Sequence, residues 1–394
     1  MRDEPLAEFA VIMPCLNEAR TVQSCVKKAK QFFESRNIKA HIIVADNGST
    51  DDSCALAHQS GAHVVHVPER GYGAALHHGI ITANAPYIIM GDADDSYDFS
   101  ALDKFILELR AGNDLVMGNR FLGGIDAGAM PWLHRYLGNP FFSWFAKILF
   151  KSRINDVYCG LRGFSKKAYL EMNMCSKGME FAVELVVKMH LFKKQVCEVP
   201  VVLRRDGRDR APHLKTWHDG WRTFRFMLLL SPQWVFQFPA VVLLTLGLSI
   251  STLLVNGPLS LGNANFDIHT LLIFSMFVPL GIQLYTFGVF ARIFSVSTGL
   301  LPKPSKREFF YDLLSLEFGI IFAAVFFVIG ISIILLASLS WIEQGFSGLE
   351  ARVVMRWLIP STVSIIVGVQ ILVASFIFSI LKLPLANNKN SLPS

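Results

Sequence analysis

Short apolar runs recur through the first half of the chain, at Ala10 to Met13, His41 to Ala45, His63 to Val67, Tyr87 to Met90 and Asp114 to Met117, with helix-length stretches between them. The first of those stretches places Val22, Cys25, Val26, Ala29, Phe32 and Phe33 at a 3.6-residue period, which predicts a helix with one buried face. Strand, helix, strand repeated four times predicts an α/β fold, a parallel sheet covered by helices on both faces. Ligands in such sheets bind beyond the carboxyl ends of the strands. Polar clusters fall at those ends: Pro14-Cys15-Leu16-Asn17-Glu18, Asp46-Asn47-Gly48-Ser49-Thr50-Asp51, Glu69-Arg70-Gly71-Tyr72-Gly73 and Asp92-Ala93-Asp94-Asp95.

From about residue 233 the pattern changes. Four segments, roughly 233–255, 270–296, 316–340 and 357–381, carry almost no charge. Each holds at least the roughly 20 residues that cross about 30 Å of hydrocarbon as a helix, so four transmembrane helices are predicted. Two aromatic and basic stretches precede them. One spans 132–150, with Trp132, Phe141, Phe142, Trp144, Phe145 and Phe150 beside Arg135 and Lys147; the other runs from Trp217 to Trp234, with Trp221, Phe224 and Phe226 beside Arg222 and Arg225. Both suit the headgroup layer of a membrane. The expected division is a catalytic domain over 1–212 that includes the 132–150 surface helix, a juxtamembrane amphipathic helix over 213–232, and a transmembrane domain over 233–394.

At 394 residues, with 52% hydrophobic content and a mean hydropathy of +0.41, the chain exceeds a single typical domain and is too apolar to be wholly soluble. Its net charge of +6 does not point to nucleic acid, because the basic residues gather beside the spans and near prospective phosphate sites. All six cysteines lie in the first half without C-x-x-C spacing, the pattern of reduced structural thiols. Met1 to Pro5 has no apolar core of a signal peptide. The connection near 256–269 lacks Lys and Arg, whereas Lys303, Lys306, Arg307, Lys382 and Lys389 mark the other side, with Arg352 and Arg356 blurring the contrast. Lys and Arg are retained in the cytoplasm, so the catalytic domain and both termini are expected there, on a plasma or inner membrane if the cell is prokaryotic.

Asp92 and Asp94 stand two apart where an extended run ends, so both carboxylates can converge on one hard divalent cation, Mg²⁺ or Mn²⁺. Asp95 and Asp98 are further carboxylates nearby, equally suited to capping the following helix.

The motifs P-C-L-N-E, A-D-N-G-S-T-D, R-G-Y-G-A-A and D-A-D, in this order, resemble family 2 glycosyltransferases with a Rossmann-like GT-A fold. The later residues resemble the polyprenyl-phosphate branch, the dolichyl-phosphate mannose synthases and dolichyl-phosphate glucose synthase-like enzymes. The likeness runs over roughly residues 8–232. It implies nucleotide-sugar binding by Pro14, Asn17, Glu18, Asp46, Gly71, Gly73, Asp92, Ala93 and Asp94, with metal held by Asp92 and Asp94. Asn47 departs from the acidic pair common in the family. The resemblance places Arg120, Arg135, Arg204 and Arg208 near an acceptor phosphate, which a guanidinium grips through paired hydrogen bonds. The family's stretch after Arg204 and Gly207 ends in Ser-Lys, which this chain lacks.

Asn155-Asp156 and Gly160-Leu161-Arg162-Gly163-Phe164 resemble a stretch near the transfer site. With Asp94 and Arg120, Asp156 is a candidate catalytic group, as base or positioning acid. Glu180 and Glu184, one helical turn apart, are candidates to complete the site. The implied reaction is inverting transfer of one hexose from a nucleotide diphosphate sugar to polyprenyl monophosphate. A UDP-hexose such as UDP-glucose is favoured and GDP-mannose is the other donor; self-association is left open. One rival is a processive polysaccharide synthase, whose Q-x-x-R-W signature is absent. The other is a transport or assembly protein, for which the spans offer few ionisable groups beyond Arg292 and Glu317.

Overall fold

The computed structural model describes residues 7–207, 216–303, 316–346, 348 and 350–382. Met1 to Pro5, Arg208, Lys306, Arg307 and Lys389 lie outside these residues. The chain divides into two compact units, Met1–Ser231 with Gly299–Pro302, and Pro232–Thr298 with Lys303–Ser394.

In the first unit, β1 (Phe9–Cys15), α1 (Val22–Ser35), β2 (Ala40–Asp46), α2 (Ser53–Gln59), β3 (His63–His66), α3 (Tyr72–Thr82) and β4 (Tyr87–Met90) follow the alternation of the apolar runs. α1 buries the six residues of its periodic face, Val22 through Phe33. Then come α4 (Asp103–Arg110), β5 (Leu115–Asn119), the short α5 (Arg120–Gly123), α6 (Asn139–Phe150), β6 (Arg162–Ser165), α7 (Lys166–Glu171), α8 (Phe181–Leu191), β7 (Val196–Pro200) and α9 (Thr216–Leu229). The strands form one sheet in the order β3-β2-β1-β4-β6-β5-β7. β1 lies within it, flanked by β2 and β4, and Phe9 through Met13 are wholly buried. Burial of Phe9, Val11, Ile12 and Met13 contributes about 1.5–3 kcal/mol each.

The five strands read from the apolar runs, β1 to β5, run parallel as expected, and one further strand makes the sheet mixed. β6 runs antiparallel to both β4 and β5. Its sequence, Arg-Gly-Phe-Ser, carries no apolar run, and the long connection after β5 brings it into the sheet from the opposite end. β7 pairs with β5 from Leu115↔Val196 to Asn119↔Pro200 in parallel register.

The second unit holds α10 (Phe238–Val255), a small hairpin of β8 (Leu259–Leu261) and β9 (Ala264–Phe266), then α11 (Ile268–Ser297), α12 (Leu316–Glu343) and α13 (Ala351–Lys382). Gln233–Val255, Ile268–Ser297, Leu316–Glu343 and Ala351–Leu381 are long and apolar enough to cross a membrane. Hydroxyls help join them: Ser251 and Ser275 lie 3.0 Å apart between α10 and α11, and Ser364 donates to the Phe326 carbonyl at 2.9 Å between α13 and α12. The fourth helix starts at Ala351 rather than near 357. Its first turns include Arg356, which pairs with Asp267 and donates to the Leu254 carbonyl.

Candidate active site

The loops that follow β1, β2 and β3 are knitted to one another. Asn17, at φ 58°, accepts from the Thr50 amide at 2.7 Å, and its own amide donates to Ser49 Oγ. Asp46 turns into its own loop, taking the Ser49 amide at 3.0 Å, the Gly48 amide at 3.3 Å and His66 Nδ1 at 3.3 Å. Burial raises the Asp46 pKa, but the hydrogen bonds from Ser49 and His66 outweigh it and hold the carboxyl below its usual range. Asn47 instead borders the cleft and bridges to the third loop: Nδ2 donates to the Glu69 carbonyl at 2.7 Å and Oδ1 accepts from the Gly71 amide at 2.7 Å. A carboxylate in its place has no proton for Glu69. Asn47→Asp is therefore expected to lower stability by about 1–3 kcal/mol, read by thermal unfolding. Unchanged melting would show that the bridge does not hold this loop.

Gly71 and Gly73 also make room for a close contact within the chain. Gly71 sits at φ 143°, and a Cβ there would lie 2.1 Å from the Lys177 carbonyl oxygen; one on Gly73 would lie 2.3 Å from that of Ser176. What approaches these glycines is the chain's own 175–178 loop. That loop is anchored from below by Glu184 and Lys188 on α8, both fully buried and paired at 2.8 Å. Glu184 accepts the amides of Cys175 at 2.9 Å and Ser176 at 2.8 Å, while Lys188 donates to the carbonyls of Met172 at 3.0 Å and Asn173 at 2.6 Å. Glu184 is thus part of the scaffold under the cleft, not of its surface.

Asp92 and Asp94 border the same cleft, just past the end of β4. Tyr72 Oη donates to Asp92 Oδ1 at 3.1 Å; desolvation, then the neighbouring Asp92 charge, push its pKa well up and keep it a donor. Behind Asp92 the chain passes so closely that a Cβ on Gly160 would lie 2.5 Å from Oδ2. Asp94 takes the Ser96 amide at 3.1 Å and its hydroxyl at 2.6 Å. The donor set is carboxylate oxygen, which suits a small hard cation. Burial pushes the adjacent Cys15 thiol up to about 12, so no thiolate competes.

The 204–207 segment is fastened to this loop, for the Arg204 amide donates to the Ser96 carbonyl at 3.0 Å and the Gly207 amide to that of Asp94 at 3.0 Å. Arg204 pairs with Asp98 at 2.9 Å. Burial raises the Asp98 pKa, but the Ser100 hydrogen bonds and the Arg204 charge bring it below the ordinary value. Asp95 pairs with Lys28 at 2.7 Å, away from a ligand role.

Arg120 and Asp156 form a two-pronged buried pair, Nε to Oδ2 at 2.8 Å and Nη2 to Oδ1 at 2.7 Å, and the Arg120 amide adds a third bond at 3.0 Å. Asp156 is 0% exposed. Both its oxygens are engaged by a guanidinium that does not give up its proton, so the role of base does not fit it. Arg162 is also fully buried; its guanidinium donates to the carbonyls of Cys159, Val157 and Ala182, a brace between β6 and α8. Arg135 lies on a π-helical turn, His134–Gly138, with its guanidinium 5.5 Å from the Tyr136 ring centroid. The neighbouring His134 is pulled below its ordinary pKa by burial and then by the Arg120 charge.

The cleft measures about 520 Å³. Pro14, Glu18, Gly71, Asp92, Ala93 and Asp94 line it as the sequence suggested, whereas Asn17, Asp46 and Gly73 support it from outside. Asn47 and Arg70, from the polar clusters at the ends of β2 and β3, also line it, as do His218, Asp219 and Arg222 of α9, and these last three were not expected there. The signal of the three α9 residues in sequence was faint: 218 and 222 are one turn apart, within a helix whose tryptophans suggested only a membrane surface.

Residues 10–172 match the family described as Glycosyl transferase family 2, and residues 289–382 the glycosyltransferase family 2 C-terminal transmembrane region. The low-salt glycan biosynthesis hexosyltransferase Agl6 of Haloferax volcanii is 32% identical over 370 residues, 94% of this chain and 88% of that protein. A dolichyl-phosphate hexose transferase of the same organism is 26% identical over 204 residues, 52% of this chain and 86% of that protein. Among solved structures, glucosyl-3-phosphoglycerate synthase from Mycobacterium tuberculosis, in complex with Mn²⁺, UDP-glucose and phosphoglyceric acid, is 20% identical, covers 57% of this chain and 79% of its own, and has a TM-score of 0.46.

Proposed function

The chain belongs to glycosyltransferase family 2 as an integral membrane protein, and from that membership we propose that it transfers a single hexose from a nucleotide diphosphate sugar to a polyprenyl monophosphate, with inversion. The observation that carries this reading is the joining of two motifs: the Arg204–Gly207 segment is hydrogen-bonded along the Asp94–Ser96 loop, so an arginine suited to a lipid phosphate stands beside the loop suited to the donor. UDP-hexose is the favoured donor and GDP-mannose the alternative.

Asp92 and Asp94 would hold the Mg²⁺ or Mn²⁺, which would offset the charge that develops on the departing diphosphate. The acceptor oxygen attacks the anomeric carbon from the face opposite the leaving group. A phosphate monoester has a second pKa of about 6 and arrives ionised, so no side chain needs to remove a proton. Arg120 and Arg135 orient that phosphate, and Asp156 fixes the Arg120 guanidinium. The exposed Trp132, Trp144, Trp217 and Trp221 on the segments around α6 and α9 seat this domain in the headgroup layer. The domain faces the cytoplasm, as do both termini. Asp267 pairs with Arg356 and lies 3.8 Å from Arg352, which accounts for basic residues on the opposite side.

Purified full-length protein given UDP-glucose, GDP-mannose or a UDP-N-acetylhexosamine, with polyprenyl monophosphate and Mg²⁺ or Mn²⁺, is expected to form a lipid-linked sugar from one donor and none after chelation. Product formed in excess EDTA would remove the metal, and no product from any donor would overturn the reading.

A further inference from the structure

α9 carries two stripes. Trp217 and Trp221, one turn apart, are 81% and 63% exposed, and Phe224 continues that side by stacking on Phe145 of α6 with ring centroids 5.1 Å apart. His218 and Arg222, also one turn apart, border the cleft together with Asp219. A helix needed only as a membrane float has no use for the second stripe.

Arg222 reaches over the 175–180 loop to Glu180, its Nη2 donating to Oε1 at 2.6 Å. The chain is bare beneath that pair: a Cβ on Gly178 would lie 2.5 Å from Glu180 Oε2 and 2.9 Å from Arg222 Nη2. The same loop lies against Gly71 and Gly73, so Glu180 and Gly178 bring the guanidinium to the wall of the cleft that also holds Asp92 and Asp94. A guanidinium has five N–H donors, and one carboxylate oxygen at Nη2 leaves it with capacity for further acceptors.

We propose that Arg222 is a donor-binding residue: from the helix that lies at the membrane surface, it donates hydrogen bonds to the diphosphate or sugar oxygens of the nucleotide sugar, with Glu180 setting its position. This role rests on the cleft being the nucleotide-sugar site of the proposed transfer. It makes the seating of α9 in the headgroup layer a determinant of donor affinity, because one rigid helix carries both stripes.

The test is direct binding of UDP and of GDP, each with Mg²⁺, to the full-length protein without acceptor lipid. Arg222→Ala is expected to weaken the nucleotide that the wild type binds by about tenfold to a hundredfold, the effect of losing a charged hydrogen bond. Arg222→Lys is expected to recover part of the loss. Glu180→Gln, which keeps an oxygen that can accept from Nη2 but removes the charge that sets the guanidinium's position, is expected to weaken binding less than Arg222→Ala does. Equal weakening by Glu180→Gln and Arg222→Ala would show that the pair only fastens the helix, and would overturn the proposal. Wild type that binds a nucleotide, with Arg222→Ala binding it equally well, would also overturn it. Wild type that binds neither nucleotide would count against the donor site itself.

Discussion

Asp94→Asn is expected to lower sugar transfer at least about a thousandfold and to leave the protein folded, and Asp92→Asn should do nearly the same. A bound divalent cation contributes several kcal/mol of charge stabilisation at the departing diphosphate, and each 1.36 kcal/mol is a factor of ten in rate. The amide keeps the shape of the carboxyl. Its oxygen still accepts from Ser96 at position 94, or from Tyr72 at position 92, so the loop retains its bonds while the proposed cation loses a charged ligand. Asp95→Asn is the internal control. That residue lies in the same loop but pairs with Lys28, and its loss should change turnover only a few-fold. Initial rates at saturating donor, with melting in detergent, separate these outcomes. Full turnover in both Asp92→Asn and Asp94→Asn would end the metal assignment.

The second large effect belongs to Asp156. Removing it by Asp156→Ala leaves Arg120 buried at 8% exposure without its partner, and breaking one side of a buried pair costs about 3–5 kcal/mol of stability. Asp156→Asn keeps the volume but offers one carbonyl oxygen in place of two, so it should cost less stability while still slowing transfer. The pH–rate profile then decides between roles. A positioning residue lowers the profile without changing its shape, and the acidic limb stays where the proposed acceptor phosphate ionises, at about pH 6. A base would take the acidic limb with it when replaced. Loss of that limb in Asp156→Asn would restore proton removal to Asp156 and end its assignment as a positioning residue.

Much of the first unit was legible along the chain because its signals are local. Burial imposes the apolar runs of β1, β2, β4 and β5, and one helical period places the core face of α1. The D-x-D pair was legible for the same reason, since both carboxylates belong to one turn after one strand. β6 was not, for Arg162 is buried by three backbone carbonyls that no pattern around it announces. The close approach of the 175–178 loop to Gly71 and Gly73 was not legible either, because that loop lies about a hundred residues further on.

The sequence by itself determined the alternation that builds the sheet, the four apolar helices and the carboxylate pair at the end of β4, because each depends on neighbours in the chain and on the contrast between water and an apolar interior. Only the tertiary structure decided what the charged residues do. Asp156 is tied to Arg120, Arg204 to Asp98, Glu184 to Lys188 and Arg222 to Glu180, pairs whose partners, α8 excepted, come from distant segments. The energy of a charge is set by its burial and by the nearest opposite charge, and a linear sequence records neither distance.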